Sequence, residues 1–120
     1  MIREIEDVID TARNASSEEK AFLVWAENDM KYQHTSLAIW RARHSAKKFI
    51  KRHQAEWGEI DRVISDLPYK QPRDALALTS IRYTVMALLA RTEIAEQDFR
   101  ILTSGYKSVF GPCEGSSNGR

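Results

Sequence analysis

The side chains with chemistry to offer are three histidines, one cysteine and a cluster of cations. His34, His44 and His53 lie ten and nine residues apart. Two metal ligands on one helix need a separation of three or four, so that both imidazoles leave the same face one turn apart. A separation of nine turns His44 and His53 to opposite sides of a helix. No Glu-x-x-His pair is present to build a di-iron site in a bundle. His53 falls among apolar positions and reads as a core histidine. Cys113 stands in Gly111-Pro112-Cys113-Glu114-Gly115, with no fixed base nearby to generate a thiolate. No glycine-rich turn opens a helix, so neither a P-loop nor a dinucleotide fingerprint is present. No catalytic, metal or cofactor residue is therefore assigned, and the expected mode of action is binding, not catalysis.

The charges are laid out unevenly. Glu4, Glu6, Asp7, Asp10, Glu18, Glu19, Glu27 and Asp29 crowd the first quarter, and no acid occurs from Met30 to Ala55. That window holds Lys31, Arg41, Arg43, Lys47, Lys48, Lys51 and Arg52. At about 100° per residue the cations from Arg41 to Arg52 occupy half of a helix circumference. The opposite arc carries Ile39, Ala42, Ala46, Phe49, Ile50, His53, Trp57, Ile60 and Ile64. Trp40 falls between Lys47 and Lys51, on the basic side. An exposed indole among cations fits an interface, where tryptophan and arginine are enriched. The alternative is that Trp40 packs with Leu37 against the preceding helix.

The candidate partner-binding face is Leu37, Trp40, Arg43, His44, Lys47 and Lys51. The partner expected for it is a protein, with an acidic surface as the natural complement. Nucleic acid is the alternative, read by the basic helix 41–52. Against it stands the net charge of +1, because a dedicated binder of phosphates shows uncompensated positive charge. The basic face is then solvated, or balanced by the acidic helices beside it.

These residues need a scaffold, and the punctuation of the chain outlines one. Between Met1 and Leu67 only Gly58 interrupts, which favours helices, and no run alternates as a strand would. A first helix spans about Ile2 to Arg13, with Ile2, Ile5, Val8, Ile9 and Ala12 on one stripe. Ser16 and Glu19 form a capping-box pattern that starts a second helix near Ser17. That helix is expected to turn Ala21, Phe22, Trp25, Ala26 and Met30 inward. His34-Thr35-Ser36 either caps a new helix or is run through. From Ser36 the apolar arc predicts one long central helix to Leu67, ~45 Å if unbroken, with Gly58 as the place for a kink. Pro72 suits a first turn. The helix from Arg73 to Arg91 is apolar nearly all round, with Ser80, Thr84, Ala87 and Arg91 as its small or polar side, and belongs at the centre or under a second subunit. A fifth helix is expected from Thr92–Glu93 to Ser104, stopped by Gly105.

The whole is an all-α, compact bundle of four to five helices, one domain over 1–110, with a disordered C-terminal tail over 111–120. At 120 residues, 42% hydrophobic and 29% charged, the chain can bury a core without staples. One cysteine permits no internal disulfide, and no basic-then-apolar leader or bilayer-length apolar run is present. The location expected from these features is the cytoplasm, off the membrane. Three tryptophans and an all-round apolar helix exceed what five helices of this size require. The surplus points to a homodimer or a regulatory complex.

Overall fold

A computed structural model describes residues 2–112, and every regular element among them is helical. The order is α1 (Arg3–Arg13), α2 (Ser17–Gln33), α3 (Ser36–Arg52), α4 (Gln54–Ser65), a 3₁₀ turn (Pro72–Asp74), α5 (Ala75–Leu89) and α6 (Glu96–Phe110). The C-terminal tail, from Cys113 on, lies outside the described residues.

The helix starts follow local chemistry. Ser16 Oγ accepts from the Glu19 amide at 3.1 Å, and Glu19 Oε1 accepts from the Ser16 amide at 2.8 Å. This reciprocal pair satisfies two of the donors a helix start leaves free. Thr35 Oγ1 accepts from the Ala38 amide at 3.1 Å. With His34 extended, that cap separates α2 from α3. Pro72 opens the short turn before α5.

α5 is the hub and packs on α1, α2, α3, α4 and α6. Its small side, Ser80, Thr84 and Ala87, is fully buried. Hydroxyls there return to the backbone, Thr84 Oγ1 donating to Ser80 O at 2.8 Å and Thr103 of α6 to Phe99 O at 2.9 Å. Small residues let α5 and α6 approach closely. A Cβ at Gly105 of α6 would lie 2.7 Å from Ser80 Oγ. Gly105 therefore sits inside α6, and the expected stop there is corrected. The helix runs on to Phe110 and ends at Gly111, whose φ of +86° favours glycine. Its start is corrected as well, from Thr92 to Glu96, because residues 90–94 form turns closed on Ala90 O.

The long central helix is also corrected. The chain breaks at His53, with φ −126° and ψ 43°, and not at Gly58, which lies within α4. A straight helix of ~45 Å would overhang a body whose extents are 35 × 33 × 32 Å. The break lets α4 fold onto α5, where Ile60 and Ile64 are buried and Arg82 Nε donates to Asp61 Oδ1 at 2.8 Å. His53 is a half-buried junction residue stacked on Phe49, with ring centroids 4.3 Å apart, and not a core histidine.

The other end of the bundle is closed by Tyr69, whose hydroxyl donates to Ala12 O at 2.9 Å and ties the connector to the last turn of α1. Burial, with the nearby carboxylate of Asp74, pushes that phenol up to about 12. Among the described residues no buried side-chain polar atom lacks a partner. Among the described residues no helix is long and apolar enough to cross a membrane.

Candidate functional site

α3 presents its faces as its periodicity demands. Ala42, Ala46, Phe49 and Ile50 are buried, and Arg41, Lys47, Lys48, Lys51 and Arg52 are exposed. The Thr35 cap fixes the helix start, and the buried row fixes its rotation. Together they set Trp40 outward, 60% exposed, and Leu37 likewise at 56%. The indole is not buried against α2. It stacks on His44 one turn on, with centroids 4.9 Å apart and planes 8° from parallel.

A groove of about 420 Å³ runs between this face and α5, lined by Ser36, Ile39, Trp40, Arg43, His44, Lys47 and Tyr83. Four of the six predicted partner-binding residues, Trp40, Arg43, His44 and Lys47, thus share one groove. Lys51 lies one turn beyond Lys47 on the same exposed row, and Leu37 flanks Trp40 at the start of α3.

Arg43 is not a solvated cation but follows the other reading, balance by the acidic helix beside it. Its guanidinium pairs with the carboxylate of Glu27 on α2, whose side chain is only 6% exposed. Its Cζ lies 4.6 Å from the centroid of the Tyr83 ring. Burial raises the Glu27 carboxyl above its ordinary value, and Arg43 opposes the rise through its charge and hydrogen bond. Arg43 is therefore partly neutralised in place. Lys47 Nζ stands 5.9 Å from the same ring. Among the described residues Arg41, Lys47, Lys48 and Lys51 form no ion pair within 4 Å, whereas Arg52 Nη2 lies 3.3 Å from Glu93 Oε1. The groove offers flat ring faces and an excess of positive charge. That chemistry recognises a carboxylate or another anion carried on an apolar or aromatic body.

Two features were missed in the sequence. Tyr83 forms the far wall of the groove, and no sequence signal links it to α3, because only the packing of α5 brings it there. The second is on α2. Phe22 and Trp25 are not inward but 58% and 60% exposed, Ala21 is exposed with them, and Tyr32 further along is 82% exposed. The buried side of α2 is Leu23, Ala26, Glu27 and Met30. The outer row Glu18, Phe22, Trp25, Asp29, Tyr32 advances by four, three, four and three residues, which was the available signal. It was obscured because α2 carries apolar residues on two faces.

A larger groove, about 520 Å³, lies between the start of α2 and the connector before α5. Both of its lysines are engaged: Lys20 donates to Pro68 O at 2.6 Å and Lys70 to Ser65 O at 2.7 Å. This groove braces the connector. Among the described residues no three metal-ligating side chains come together.

No known protein family, no curated protein and no solved structure matches this chain.

Proposed function

We propose that this is a small regulatory or adaptor protein of the cytoplasm that acts by binding another protein through α3. An antagonist of a transcription regulator, or a subunit of a larger assembly, fits this chemistry. The observation that carries the reading is the Trp40 groove. An exposed indole, a tyrosine face and unpaired lysines converge on one surface whose underlying helix is fixed by a buried row. Aromatic anchors beside cations are the composition of interface hot spots. An acidic segment with an apolar or aromatic side chain is its complement. Self-association into a homodimer is one way to cover the same surface.

The test is affinity capture from the native cell on the tagged protein after nuclease treatment, with Trp40→Ala and Lys47→Glu as parallel baits. The expected result is a defined protein recovered by the native chain and reduced at least tenfold by either variant, with helical circular dichroism unchanged. Equal recovery by all three baits would overturn the assignment of α3. Recovery of material only when nuclease is omitted would favour nucleic acid.

A further inference from the structure

We propose that a second copy of this chain covers the α3 groove with the outer row of its α2. The inference rests on the reading of α3 as a protein-binding face and names one occupant for it.

The two rows match in length, spacing and charge. On α2 the row is Glu18, Phe22, Trp25, Asp29 and Tyr32. On α3 it is Leu37, Trp40, His44, Lys47 and Lys51. Each spans fifteen residues in alternating steps of three and four, and the fourteen rises between its ends make about 21 Å of helix. That spacing returns to the same side every two turns and lets two helices meet along a seam. The α2 row is acidic and aromatic, and the α3 row is basic and aromatic. Among the described residues Glu18, Lys47 and Lys51 form no ion pair within 4 Å, and Asp29 accepts only from Gln33 Nε2 at 2.6 Å. Laid parallel, the rows bring Lys47 to Asp29 and Trp40 to Phe22. Laid antiparallel, they bring Lys51 to Glu18 and Leu37 to Tyr32. In both directions an unpaired cation meets an acid and apolar surface meets apolar surface.

Charge complementarity decides between a second copy and a generic apolar partner. Like rows repel, α3 against α3 by its lysines and α2 against α2 by its acids. The unlike pairing is therefore the favoured one, and it joins two different faces. An acidic partner competing for α3 must then displace α2 of the other copy, so self-association restrains the groove.

Sedimentation velocity over a concentration series tests this with charge exchange. The native chain should rise from its monomer mass of 13.8 kDa toward twice that or more. Glu18→Lys with Asp29→Lys should hold one variant at monomer mass, and Lys47→Glu with Lys51→Glu should hold the other. Mixing the two variants should restore the associated species, because each then supplies the charge the other lost. A native chain that stays monomeric at every concentration overturns the proposal, as does a mixture that fails to associate. Partner capture separates this failure from that of the functional reading. A monomer that still captures its protein through Trp40 sinks the second copy alone. Charge-exchanged association without any captured protein sinks the adaptor reading alone.

Discussion

Arg43 and Glu27 show how one pair links the core to the groove. Glu27 is buried against the body of the bundle, and loss of water lifts its carboxyl above the ordinary value, with Arg43 pulling it back. A raised folded value means the folded state holds the proton more tightly than the unfolded chain. Stability from this group is therefore complete below the ordinary carboxylate value and declines as pH rises through the folded one. Arg43→Met removes the compensating charge and leaves Glu27 to ionise unaided. The expected loss at neutral pH is about 2–3 kcal/mol, below the range for fully enclosed pairs because the Arg43 side chain is 28% exposed. Its removal raises the folded value further, so the loss should widen from about pH 4 to about pH 7.5. The double variant Arg43→Met with Glu27→Leu should recover most of it, since well-packed apolar replacements of buried pairs are often neutral. Urea unfolding at both pH values measures this, and an equal loss at the two would contradict the account. The pair also holds Arg43 against Tyr83, so the same variant should loosen one wall of the groove.

At the scale of elements the decisive contact is Gly105 of α6 on Ser80 of α5. Alanine in a helix interior gains about 1 kcal/mol over glycine. Here its Cβ would stand 2.7 Å from a buried hydroxyl, and overpacking of a core costs about 1–3 kcal/mol. Gly105→Ala is therefore expected to destabilise by about 1 kcal/mol, and Ser80→Ala added to it should recover the loss and expose the helix gain. Thermal unfolding of the single and double variants decides the point, and a single variant as stable as the native chain would refute the close packing. Gly105 also explains where the sequence misleads, since a glycine that ends a helix and one that admits a neighbour look alike until the neighbour is known. Gly111, with its positive φ, is the one that terminates. The caps at Ser16 and Thr35 were legible because their chemistry lies within four residues. The sequence placed Trp40 on the basic side of α3 but left open whether it packed with Leu37 on the preceding helix, and the strictly repeating buried row of α3 decides for exposure. The break at His53 was not legible, because it answers to the width of the molecule. Ala21, Phe22 and Trp25 were misplaced because an outward row on α2 has the same composition as a core row.

Across the whole molecule the charge balance separates the two classes of partner. Net charge is +1, and two of the cations from Arg41 to Arg52 are paired within the chain, Arg43 with the buried Glu27 and Arg52 with Glu93 at the surface. Arg41, Lys47, Lys48 and Lys51 remain, all exposed on α3. If all four touched phosphates of a duplex, the logarithm of affinity would fall against that of salt with a slope no steeper than about −4. With no net positive field to steer it, binding to mixed-sequence duplex should lie in the non-specific range of about 10⁻⁴ to 10⁻⁶ M and fade toward physiological salt. Lys47→Glu with Lys51→Glu should flatten the slope by about two, one for each contact removed. Oligonucleotide titrations by anisotropy at several salt concentrations read both quantities. Tight, sequence-selective binding that persists at physiological salt would make the basic row a nucleic-acid face and leave the aromatic groove as a stacking platform for bases. The pairing of Arg43 weighs against that outcome, because a guanidinium held by a buried carboxylate and a tyrosine ring has fewer donors to give a phosphate than to orient a protein side chain lodged beside it.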